Sequence, residues 1–244
     1  MDDKFGIFNN PILKSNKDKS KANGKESLDT ANFVFKDISR LHNNLMILLK
    51  VSLIFTSLLL ISNLFELKLL NDLQIGNYNP QTIESQATSN DLRTSILQTI
   101  WIMIFVVTGI MFLRWIYFMN SNSRALGASN MEFTPGWAIA HYFIPFFNLF
   151  QPYKAMKEIW QASKDPNNWK ILKTPSILPQ WWTLWLVNIF LDRMVARSVM
   201  KAEELDELMS VSKISILNNL VYIPLCIIAI KLLSDIYEMQ NKNN

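Results

Sequence analysis

Apolar residues in this chain come in blocks rather than being spread along it. Residues 45–65 and 96–118 are apolar runs that each reach the roughly 20 residues needed to cross a hydrocarbon core. Each contains one basic residue, Lys50 or Arg114. A soluble core helix of that length would show a polar face, and these runs show none, so the pattern predicts membrane insertion. Two shorter apolar runs follow at 136–150 and 178–191, then a longer one at 214–233. The fold class this predicts is an all-α integral membrane protein with four to five hydrophobic helical segments. Interfacial amphipathic helices lie between them.

The third segment differs from the others and organises the reading of the rest. It begins at Thr134-Pro135, an N-cap residue followed by proline at the first helical position. At about 22 Å if fully helical, it is shorter than a ~30 Å hydrocarbon core. Pro145 removes a backbone donor inside it and clashes with the carbonyl four residues earlier, that of His141. The segment is therefore predicted to be short and proline-broken, with His141 and Asn148 as local groups able to satisfy freed backbone. After Pro152 a basic amphipathic pattern sets Tyr153, Met156 and Trp160 against Lys154, Lys157, Glu158 and Lys164, as in a helix lying on a membrane surface.

The remaining stretches are polar. Residues 1–32 hold too few apolar groups to offset ordering entropy and are read as a disordered cytoplasmic tail, with residues 33–240 as the helical membrane domain. From Phe33 the spacing of Val34, Ile38, Leu41 and Leu45 predicts an interfacial helix leading into the first span. That span reads as a retained signal anchor. Residues 66–95 read as a polar loop on the outer side. Trp181, Trp182 and Trp185 read as an aromatic belt at the mouth of the fourth segment, where Trp181, Trp185, Asn188 and Asp192 share one face.

Charge decides between two topologies. The net charge of +4 accompanies basic residues that flank hydrophobic spans, so it is read as a topology and lipid signal and not as nucleic-acid binding. If all five segments span, 14 Lys/Arg fall inside and 9 outside; if 136–150 re-enters, the counts are 17 and 6. Re-entry is favoured, with the N-terminus cytoplasmic and the protein in the cell (inner, cytoplasmic) membrane. The five-span alternative would bring Arg114 and Asp192 to one face as an ion pair.

Four stretches carry a resemblance: N-S-R-A-L-G at 122–127, P-G-W-A-I-x-x-Y-F-I-P-F-x-N-L at 135–149, P-Y-x-A-M-x-E-I-W at 152–160 and W-W-x-L-W-L at 181–186. Together they resemble a bacterial membrane family catalogued as Domain of Unknown Function 4328, in order over roughly residues 40 to 240. The resemblance implies a multi-pass bacterial membrane protein and carries no activity with it. Where the family pattern has Gly-aromatic, this chain has Ala140-His141, which weakens any catalytic role for His141.

Chemistry is sparse. His42 and His141 lack ligand-spaced partners, and the single Cys226 lies in an apolar run, so no metal centre, cofactor or nucleophile is expected. Candidate ligand or partner contacts are Arg124, Trp137, His141, Pro145, Asn148, Glu158, Trp160, Trp181, Trp185 and Asn188. Glu158 could pair with Arg124. The reading that results is a non-enzymatic membrane module that binds lipid, or a protein partner through its tail or amphipathic helices. The alternative is a small transporter or channel-like subunit with Pro145, His141, Asn148 and Asn188 along a polar path.

Overall fold

The computed structural model describes residues 33–244. The reading of 1–32 as a tail falls outside the described residues. Among the described residues six α-helices follow one another: α1 (Ser39–Gln74), α2 (Ile83–Ala125), α3 (Pro135–Ala140), α4 (Gln151–Lys164), α5 (Ile177–Val199) and α6 (Leu205–Asn243). Two short 3-10 turns, Phe147–Leu149 and Trp169–Ile171, lie in the connections. Three helices, α1, α2 and α6, are long and apolar enough to cross a membrane.

α1 runs antiparallel to both α2 and α6, which therefore run parallel to each other. On α1 and α2, His42 meets Trp115 near one end and Ser62 meets Arg93 near the other. On α1 and α6, His42 stacks on Tyr237 with ring centroids 4.0 Å apart, while Gln74 donates to Asp206 at 2.6 Å. α5 joins α6 through a short connection, and such connections make neighbouring helices antiparallel. Asn188 of α5 donates to Asn218 of α6 at 2.7 Å. The buried core gathers toward the end that holds the start of α1 and the finish of α2 and α6. Leu45, Trp115, Met119, Met156, Ile159, Trp181, Leu232 and Ile236 are among its members. Over the most apolar window of α2 only 6% is buried by protein, against 39% for α1.

Several sequence expectations need correction. Among the described residues no interfacial helix precedes the first span: residues 33–38 are non-helical, and α1 starts at Ser39 and runs without interruption. Asp37 accepts the Ser39 N–H at 2.8 Å, a local bond that competes with helix upstream. Asn122 also holds the Lys36 backbone on both sides, accepting its N–H at 3.0 Å and donating to its carbonyl at 2.9 Å. His42, in the first turn of α1, is buried in the core. The polar loop expected over 66–95 is also shorter than that, because α1 and α2 continue as helix well past their apolar runs. Residues such as Glu66, Leu67, Lys68 and Leu69 are good helix formers whether or not lipid surrounds them.

The third segment holds no helix of spanning length. Thr134 caps α3 as expected, accepting the Trp137 N–H at 3.3 Å, with Pro135 in the first turn. α3 ends at Ala140 and turns follow to Phe150. Phe146 takes φ +66°, a conformation that bulky side chains rarely adopt and that costs about 1–3 kcal/mol.

Candidate functional site

The stretch Asn120–Arg124 ends α2, and its sequence, N-S-N-S-R, suggests a wet exit from the membrane. Instead its side chains are buried, Asn120, Asn122 and Ser123 completely. Together they tie several parts of the chain to the end of α2. Asn120 donates to the Phe133 carbonyl at 2.9 Å and accepts from Arg124 Nε at 3.3 Å. Arg124 reaches on to the carbonyls of Met131 and Phe133 at 3.1 and 3.0 Å. Ser123 accepts from Gln240 of α6 at 3.0 Å, and the same Gln240 nitrogen lies 2.9 Å from Ser163 of α4 and from the Met119 carbonyl.

Glu158 closes this arrangement from α4. Its two carboxylate oxygens accept the backbone N–H groups of Glu132 and Phe133, the latter at 3.1 Å. Arg124 and Glu158 thus grip one loop, the guanidinium on its carbonyls and the carboxylate on its amides. The expected pairing takes this shared form. Burial pushes the Glu158 carboxyl above the usual glutamate range, while the two amides and the Arg124 charge pull it back part of the way. A carboxyl with a raised folded-state pKa binds its proton more readily when folded. Stability should therefore fall as pH rises from the ordinary glutamate range through the raised value. In thermal unfolding followed against pH, Glu158→Gln should flatten this part of the profile. An unchanged slope would show that other groups set it.

The tryptophans divide into two kinds. Trp181, Trp182 and Trp160 are buried, so the expected interfacial belt is in these cases core. Trp182 stacks on Trp185 at 4.5 Å, Tyr142 meets Trp185 edge-on at 6.0 Å and Phe112 at 6.0 Å, and Trp182 Nε1 donates to the Leu149 carbonyl at 3.2 Å. This layer seats the 136–150 segment on α5 and α2. Lys164 lies over the Trp160 ring. Trp137 is the exception at 55% exposed, and Phe143, Phe146, Phe147 and Phe150 of the same segment are exposed as well.

The polar candidates do not converge. His141 Nδ1 is 2.7 Å from the Trp137 carbonyl, with the Phe133, Trp137 and Phe147 rings around it. It serves the end of its own helix. Pro145 is exposed and Asn148 half-buried, in the turns that follow. Asn188 lies elsewhere, donating to Asn218, which donates in turn to Asp192 at 2.6 Å. Arg114 and Asp192 do not pair, since the one ion pair within 4 Å among the described residues joins Lys231 to Asp235. Arg114 instead lines a cleft with Lys36 and Arg40 at the start of α1. Among the described residues no three His, Cys, Asp or Glu side chains gather where they could hold a metal ion.

Asn120, Asn218 and Gln240 were not singled out as site residues from the sequence. Asn120 carried a usable signal, since a polar run directly after an apolar span can be a buried cap as well as an exit. Gln240 carried none, because its three acceptors lie between 77 and 121 residues away along the chain.

Residues 80–238 match a family described as "Domain of unknown function (DUF4328)". The chain belongs to this family. The match begins at residue 80 and not near 40, so α1 lies outside it, while the Arg124–Glu158 grip, the aromatic layer and the Asn188–Asn218 pair all lie within. No curated protein and no solved structure matches.

Proposed function

We propose that this DUF4328 protein is a non-enzymatic, four-pass membrane module that contacts lipid through the aromatic surface of its 136–150 segment. α1, α2, α5 and α6 cross the bilayer in this reading. Residues 126–176 and both ends of the described chain lie on one side, the cytoplasmic one. At about 35 Å, α5 is long enough for the crossing. The Lys/Arg distribution of 17 inside and 6 outside supports the same topology.

The observation that carries the lipid reading is exposure. Phe143 is 72% and Phe146 79% exposed, and the Trp137 ring earlier in the same segment is open too. The same segment folds Tyr142 back into the aromatic layer, so the open rings sit on a firmly seated base. Each such ring gains about 1.5–3 kcal/mol when taken out of water, so the segment should dip into the cytoplasmic leaflet.

Single-cysteine reporters test both parts in a Cys226→Ser background. With Phe146→Cys carrying an environment-sensitive dye in vesicles, blue-shifted emission and quenching by spin-labelled acyl chains are expected. Emission at the wavelength seen in water would sink the lipid contact. With Lys164→Cys, a membrane-impermeant maleimide should label only after cell lysis. Labelling of intact cells would mean that 136–150 crosses the bilayer, and the topology would fail.

A further inference from the structure

We propose that the cleft between the first turn of α1 and the last apolar turns of α2 is a headgroup site for an anionic phospholipid. The cleft encloses about 380 Å³. Three cations line it, Lys36, Arg40 and Arg114. All three are exposed, and none joins an ion pair within 4 Å among the described residues. The acid in its wall, Asp37, already accepts from the Ser39 N–H at 2.8 Å and the Ser39 hydroxyl at 3.2 Å. The ring of Phe118 lies 5.5 Å under the Lys36 ammonium, and Leu41 and Met111 supply further apolar wall.

Depth selects the ligand. Arg114 stands four residues before the end of the apolar run 96–118, or about 6 Å along the helix axis. From there its stem follows apolar surface while the guanidinium reaches headgroup level. A phosphodiester at that level meets three positive charges, and its acyl chains continue along Met111. A soluble anion would gain nothing from the apolar wall. Basic pockets between membrane helices on the cytoplasmic side bind anionic headgroups in this way. A second basic cleft, of about 420 Å³ beside α4, carries Lys154, Lys157 and Lys170, but Glu132 and Glu158 share its walls. It makes the natural control.

The inference rests on the membrane topology proposed above but not on insertion of the aromatic segment, so the two can fail separately. Native mass spectrometry of the detergent-purified full chain, titrated with phosphatidylglycerol or phosphatidylcholine, tests it. The wild type should retain one phosphatidylglycerol per chain, with at least about a tenfold preference over phosphatidylcholine. The Lys36→Gln/Arg40→Gln/Arg114→Gln variant should lose at least about tenfold in that affinity. The Lys154→Gln/Lys157→Gln/Lys170→Gln variant, equal in charge removed, should change less than about twofold. Arg114→Lys, which keeps the charge, should stay near wild type. The proposal is overturned by equal binding of the two lipids to the wild type, by equal loss in both triple variants, or by displacement of the lipid with millimolar inorganic phosphate.

Discussion

Glu158→Ala is expected to lower stability by about 3–5 kcal/mol, the usual cost of removing one partner from a buried charged arrangement. The loss has three sources. The N–H groups of Glu132 and Phe133 lose their acceptor in a place where water reaches them poorly. The buried Arg124 guanidinium loses the negative charge that acts on it across the loop. α4 also comes loose from the loop that connects α2 to α3. Burying the carboxylate is itself unfavourable, as its raised pKa records, so the energy lies in the arrangement rather than in the acid. Replacing both charges, Arg124→Leu with Glu158→Leu, should therefore cost clearly less than the two single changes added together. Thermal unfolding of the four proteins of this cycle and of Glu158→Ala, in detergent and read by tryptophan fluorescence, measures both effects. Additive losses, or a Glu158→Ala effect under about 1 kcal/mol, would mean that the loop holds itself.

The second large effect concerns Trp181. Trp181→Ala should cost about 3–5 kcal/mol, because the ring is fully enclosed and its removal leaves a cavity that helices cannot easily close. Its neighbours Phe112 and Trp182, at 6.4 and 5.5 Å, belong to α2 and α5 themselves, so the contact between these helices is what loosens. Trp137→Ala on the open surface should change stability by less than about 0.5 kcal/mol while weakening lipid contact. A belt tryptophan and a core tryptophan thus predict different outcomes from the same substitution. If Trp181→Ala is as mild as Trp137→Ala, the packed layer is not what seats the 136–150 segment.

The membrane class of this protein was legible because hydropathy over about 20 residues is a local property. The long runs at 45–65, 96–118 and 214–233 all lie within helices of spanning length. The cap at Thr134 and Pro135 was legible for the same reason, since its bond reaches only to Trp137. Helix lengths were not, because the polar stretches at 66–74 and 83–95 extend helices that lipid does not require. Nor could periodicity separate the two kinds of tryptophan, since belt and core want the same apolar ring. Arg124 and Glu158 were named as a pair, but their joint object, the backbone at 131–133, is visible only once the loop is folded between them.

Phe146 combines two roles that pull against each other. Its φ of +66° strains the backbone, and its ring stands in the open. Glycine there would relieve the strain and remove the ring, so the position separates foldability from surface activity.

Gln240 has a different kind of consequence. A chain is made from its N-terminus, and this side chain belongs to the last turns of α6, yet it joins α2, α4 and α6 at one point. Until it arrives, Ser123 and Ser163 lack their common partner, and this end of the bundle stays unlatched. An order of assembly then follows from geometry: this latch closes only once α6 has been made.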